Sequence, residues 1–178
     1  MSEAAKLARF EQTVLAHLDA AYNLARWLTQ DESGAEDVVQ DACLRAFRFF
    51  DQQHGPNPKA WFMAVVRNAC IDWMKERRRR SREEEYDETA HGAEVSAAFE
   101  PPDAAAARES DARWLRRCVE TLPLEYREVL VLREMEELSY KEISAIVGVP
   151  PGTVMSRLAR GRDLLQQRLL EARKRMSS

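Results

Sequence analysis

The residues of this chain best equipped for chemistry lie in one stretch, "SYKEISAIVGVPPGTVMSRLARGR", from Ser139 to Arg162. It places Thr153, Ser156, Arg157, Arg160 and Arg162, with Met155 between them, within a single predicted helix. Small hydroxyl side chains and planar guanidinium forks near the start of an exposed helix suit the major groove of DNA. Arg160 can grip a guanine edge, worth about 1–3 kcal/mol of discrimination. Arg157 and Arg162, on the flanks with Met155, are better placed for phosphates, which position a protein without specifying sequence.

Positioning such a helix takes a second one and a defined turn. Ser139 followed three residues later by Glu142 is a capping-box pattern, and Ile143 and Ile146 supply an inward face. Gly148 permits the left-handed backbone of the turn. Val149 and Pro150 each precede a proline and are biased away from the α region, so the second helix begins at about Pro151. Val154, Leu158, Gly161 and Leu165 then fall on one packing face, opposite Thr153, Ser156, Ala159 and Arg160. The pattern predicts a helix-turn-helix.

Other chemistries find no support. The chain has no Gly-rich phosphate loop, no GxSxG and no HExxH, so no catalytic residue and no cofactor are expected. His17, His54 and His91 are scattered, which speaks against a metal site. Cys43, Cys70 and Cys118 each sit in an apolar helical pattern without a CxxC pair and are expected to behave as small buried apolar residues.

The 178 residues carry a formal charge of −3, unevenly spread. Residues 1–82 hold 13 basic against 11 acidic residues, and residues 112–178 hold 13 against 9. Between them, residues 83–111 hold one basic residue against 10 acidic ones, with few large apolar side chains and a Pro-Pro pair. That composition cannot bury enough surface to offset ordering entropy and predicts a flexible acidic linker. The expected fold is therefore all-α: two small helical domains, 8–82 and 112–176, joined by the linker 83–111, the C-terminal one bearing the helix-turn-helix. No apolar stretch approaches the roughly 20 residues of a membrane span, and the N-terminus lacks the apolar centre of a signal peptide. A cytoplasmic protein without membrane insertion is expected.

In the first domain, Phe10, Val14, Leu18, Ala21, Ala25 and Leu28 recur at helical spacing. A second helix is predicted from a capping box at Ser33 and Glu36, and a third from Asn57 as N-cap with Pro58 at the first helical position. The second helix carries Asp37, Gln40, Asp41 and Leu44 as one continuous stripe, with two carboxylates able to accept charge-assisted bonds from a partner. The third carries Trp61 and Phe62, whose spacing fits core packing better than base stacking, and ends in "KERRRRSR".

Three ordered blocks, "GAEDVVQDACLRAFRFF", "PKAWFMAVVRNACIDWMKERRRR" and "LPLEYREVLVLREMEELSYKEISAIVGVPPGTVMSRLARGR", resemble the extracytoplasmic-function sigma factors of bacterial RNA polymerase. The resemblance covers both domains and leaves only the tails and linker unmatched. It implies that the stripe Asp37, Gln40, Asp41, Leu44 and Arg45 binds core polymerase. It implies that Arg67, Asn68 and Asp72 meet the minus-ten promoter element, with Lys75, Arg77 and Arg78 on the backbone, and that the loop Asp51–Pro58 holds an unstacked base. It implies minus-thirty-five contacts by the second domain, with Ser156 and Arg160 matching positions that touch DNA in relatives. Met155 departs from relatives that place a basic residue there. An anti-sigma protein is implied as a further partner, and the linker is implied to run through the RNA-exit path, where its acids would mimic nucleic acid. The competing reading is a free-standing helix-turn-helix regulator whose N-terminal domain binds a ligand or partner.

Overall fold

Asp31 and Asn57 set where the two longest helices of the first domain begin. The computed structural model describes residues 2–88 and 107–178. Helix α1 (Glu3–Thr13) is followed by a tight 3-10 turn at Leu15–His17 and then by α2 (Leu18–Thr29). The spacing from Phe10 to Leu28 suggests an unbroken helix. The 3-10 turn winds at three residues per turn and re-phases the face, so Leu18 is 36% exposed while Leu24 is fully buried.

Gln30 ends α2 in the left-handed region. Asp31, extended at φ −142°, caps α3 (Glu32–Phe49), its Oδ1 accepting the Gly34 N–H at 2.8 Å. The predicted cap at Ser33 thus falls inside the first turn. A carboxylate two residues earlier is the better acceptor at the positive end of a helix. Asn57 does cap α4 (Pro58–Glu88), its Oδ1 accepting the Ala60 N–H at 3.0 Å. Helix α4 continues to Glu88, and α5 (Ala107–Glu120) begins before the predicted boundary. Residues 83–88 and 107–111 of the expected linker are therefore helical, because Glu, Arg and Ala carry good helix propensity even without a core to join. The rest of that expectation, 89–106, lies outside the described residues.

After Pro123, α6 (Leu124–Leu130) runs into a wide π turn at Val131–Met135. Helix α7 (Tyr140–Val147) begins with the predicted box: Ser139 Oγ accepts the Glu142 N–H at 3.1 Å, and Glu142 Oε2 accepts the Ser139 N–H at 2.7 Å. Gly148 stands at φ 73°, and α8 (Pro151–Met176) starts at the predicted proline. Ser139→Ala should cost about 1 kcal/mol and lower the melting temperature by about 2–4 °C; a thermal melt followed by circular dichroism checks it.

The described residues contain no strand. Helices α2, α3 and α4 pack together, with Leu24, Leu28, Val38, Phe62, Met63 and Val66 in their core. Phe10 joins α1 to them through edge-on contacts with Phe47 and Phe50, at 5.2 and 5.4 Å between centroids. Helix α8 packs on α6 and α7. The apolar cluster then continues across the domain boundary: α7 lies against α4 and α6 against α2, so Val129, Leu132, Ile143 and Ile146 extend the first domain's core. No helix among the described residues is long and apolar enough to cross a membrane.

Candidate nucleic-acid interface

Helix α8 divides as its spacing predicts. Val154, Leu158 and Gly161 are buried, and Leu165 packs partly against the core. Met155, Ser156, Arg160 and Arg162 are exposed, with Thr153 and Arg157 half-buried. Two of the arginines are held by acids of the α6 region: Arg162 Nη2 lies 2.6 Å from Glu134 Oε1, and Arg157 Nη2 lies 4.0 Å from Glu125. Arg160 forms no ion pair among the described residues, which leaves its five donors for an external acceptor. Ser156 Oγ donates to the Thr153 carbonyl at 3.0 Å.

On the outer side of α3, Asp37 and Gln40 are exposed and Leu44 is 70% exposed. Asp41 meets Arg45 at 2.8 Å, and Arg45 also reaches Asp72 of α4 at 2.9 Å. Arg45 and Asp72, assigned by sequence to different surfaces, are thus one ion-paired group tying α3 to α4. Asp72 first, then the Asp41 charge, pushes the Arg45 guanidinium further up from its ordinary range.

Helix α4 presents its candidates along one side. Asn68 is exposed, while Lys75 and Arg78 line an open groove with Arg79, Arg82, Glu83 and Tyr86. Arg79 is tied to Glu76 at 2.6 Å and to Glu83, a spacing visible as i, i+3 and i+4 in the sequence. Arg77 pairs with Asp31 at 3.0 Å and lies over the Trp73 ring at 5.1 Å. The Gly34 N–H, with Arg77 beside it, holds the Asp31 carboxyl below the usual carboxylate range. Phe62 is fully buried and Trp61 partly so, in keeping with core packing.

Arg67 differs from its neighbours. Its Nε donates to Glu128 Oε2 at 2.9 Å and its Nη2 to Glu128 Oε1 at 3.2 Å, across the domain boundary, and Glu128 is 2% exposed. Sequence reasoning passed over Glu128 and its neighbour Arg127. The available signal was two charges inside the otherwise apolar run "YREVLVL". Burial pushes the Cys70 thiol up to about 12, and burial also raises Cys43 and Cys118. A thiol so shifted stays protonated and unreactive.

Two family models match in chain order: Sigma-70 region 2 over residues 13–80 and Sigma-70, region 4 over residues 112–165. The chain is 30% identical to the ECF RNA polymerase sigma-E factor of Escherichia coli over 75% of its own length and 72% of that protein's. This chain belongs to the ECF sigma factors. The sigma factor is also 32% identical to the ECF sigma factor SigE of Mycolicibacterium smegmatis, over 93% of its own length but only 63% of that relative's. Among solved structures it resembles the sigma factor RpoE of Bartonella quintana in complex with the anti-sigma factor NepR, with a TM-score of 0.69, 31% identity and coverage of 90% and 96% of the two chains. It also resembles CnrH in complex with the cytosolic domain of CnrY, with a TM-score of 0.62, 26% identity and coverage of 92% and 88%. The ordered match to both regions sets the free-standing regulator aside. The sigma factor belongs with DNA-binding transcription factors rather than enzymes.

Proposed function

We propose that this sigma factor docks on core RNA polymerase through the α3 stripe, engages the minus-ten element through α4 and the minus-thirty-five element through α8, and so directs initiation. The observation that carries this reading is Leu44. It is a large apolar side chain, 70% exposed, with Asp37 and Gln40 exposed beside it and Asp41 at the edge. An apolar anchor ringed by polar acceptors is what a protein partner desolvates on docking. Asn68, Lys75 and Arg78 of α4 and Ser156 and Arg160 of α8 form the two DNA-facing sets, with Thr153, Met155, Arg157 and Arg162 at the margin of the second. Arg67, Asp72 and Arg77 join the first set once released from their protein partners.

Asp37→Arg with Asp41→Arg should abolish co-purification with core polymerase while leaving the helical circular-dichroism spectrum intact, because two attractive carboxylates become repulsive charges. Retained association would exclude the stripe. Arg160→Ala should reduce discrimination at one upstream base pair by about 1–3 kcal/mol, read by competing wild-type and single-base-changed promoters in one transcription reaction. The relative RpoE of Bartonella quintana is solved in complex with the anti-sigma factor NepR, and we assign this sigma factor an anti-sigma partner of its own.

A further inference from the structure

Helix α8 is fixed in phase by its inner side. Val154 is fully buried and Leu158 nearly so. A Cβ at Gly161 would stand 3.1 Å from Leu130 Cδ1 and 3.2 Å from Tyr126 Cβ, so the helix lies tight on α6 there. At about 3.6 residues per turn, the outward arc then passes around the axis through Met155, Ala159, Ser156 and Arg160, in that order. All four are exposed, Met155 to 55%. Arg162 borders the arc on the Met155 side and Arg157 lies beyond Arg160, each held by an acid of the α6 region. The exposed Asp163, one turn on, ends the arc, because an outward carboxylate repels phosphate.

The arc changes chemistry from one edge to the other. Arg160 carries donors only. Ser156 Oγ gives its hydrogen to the Thr153 carbonyl, so outward it offers lone pairs. Met155 and Ala159 offer no strong donor or acceptor. A single exposed methionine says little, but this one continues a base-reading arc and has an exposed methyl at i+4 beside it. Of the groups that base pairs show in the major groove, only the thymine 5-methyl is apolar. We infer that Met155, with Ala159 one turn on, reads that methyl and sets a thymine requirement in the minus-thirty-five element, beside the pair gripped by Arg160. The unbranched thioether has three rotatable bonds and adapts to the position of the methyl. An A·T pair satisfies the middle of the arc twice over, with the thymine methyl for Met155 and the adenine amino donor for the Ser156 lone pairs. A G·C pair facing Met155 would instead lose water from its polar edge without gaining a hydrogen bond.

This inference rests on the assignment of α8 to the minus-thirty-five element, and the test separates the two. Holoenzyme is formed from core RNA polymerase and the full chain, as wild type, Met155→Ala or Arg160→Ala. Each transcribes a promoter that the wild-type holoenzyme selects from genomic fragments, in competition with copies carrying 2′-deoxyuridine for one upstream thymine at a time, on either strand. That replacement removes the methyl and keeps the hydrogen-bonding edge. At one position it should lower wild-type initiation about fourfold, the worth of one buried methyl-sized group. Met155→Ala should initiate alike on the thymine and deoxyuridine templates. Copies with single upstream base pairs changed read the effect of Arg160→Ala, which should relax the preference at one pair. A minus-thirty-five element without thymine, no methyl effect at any position, or the same methyl effect in wild type and Met155→Ala overturns the reading by Met155 alone, provided Arg160→Ala relaxes its pair. Wild-type preference at every upstream pair in Arg160→Ala, with no methyl effect that Met155→Ala removes, overturns the assignment of α8 and the Met155 reading with it.

Discussion

Gly34→Ala should lower the melting temperature by about 4–8 °C, a net loss near 2 kcal/mol at about 2–4 °C per kcal/mol for a chain of this size. Helix propensity alone predicts the opposite sign, since alanine in a helix interior is favoured over glycine by about 1 kcal/mol. Space decides between them. A Cβ at position 34 would stand 2.3 Å from Trp73 Cζ2 and 2.8 Å from Cε2, well inside contact distance. Overpacking of this kind costs about 1–3 kcal/mol, and the upper end applies because the indole has little freedom. Arg77 stacks on it, Arg77 is paired with Asp31, and Asp31 caps the Gly34 N–H. The four residues form a closed circuit, so moving the ring loosens the start of α3 as well. Trp73→Leu in the Gly34→Ala background should recover part of the loss, a coupling that a double-mutant cycle measures. A Gly34→Ala protein that melts higher than wild type would show the ring to be mobile and the circuit slack.

Arg127→Ala should destabilise the chain by about 3 kcal/mol in urea denaturation. Charged donors contribute about 1.5–3 kcal/mol per hydrogen bond, and Arg127 Nη1 gives two, to the Glu120 carbonyl at 3.0 Å and the Leu122 carbonyl at 2.8 Å. These fasten the turn between α5 and α6. Nη2 reaches the Leu28 carbonyl at 3.5 Å, at the end of α2, so the same side chain touches both domains. It is 8% exposed and its Nε has no hydrogen-bond partner. Burial pulls the guanidinium down from its usual range, with Glu120 and Glu128 opposing. That desolvation cost partly offsets the bonds, so Arg127→Met, which fills the volume without the charge, should lose less than Arg127→Ala. Equal losses would show that the bonds alone carry the effect.

What could be read from the sequence was local. Asn57, the Ser139–Glu142 box, Gly148 and Pro151 each impose a backbone requirement within four residues, and each stands in the predicted place. The division of α8 into a buried face and an outward arginine face follows from helical period alone. Misplacements came from competing local signals: Ser33 fits a capping box, but Asp31 is charged and earlier. The break at Leu15–His17 had no proline or glycine to mark it. Unreadable were the contacts between residues far apart in sequence. Nothing around Arg67 announces Glu128, 61 positions away, and nothing near Arg45 announces Asp72. A basic residue matched to a DNA-contacting pattern looks the same in sequence whether free or already paired.

The central claim is that two small domains are set on promoter DNA by a larger enzyme. The most direct measurement is in-vitro transcription by core RNA polymerase, with and without the purified chain, over a library of genomic promoter fragments. Transcripts should appear only with the chain added, from fragments sharing two short sequence blocks at fixed spacing, while the chain alone binds those fragments weakly. Tight, sequence-selective binding by the chain alone, with no transcript when polymerase is supplied, would contradict the account.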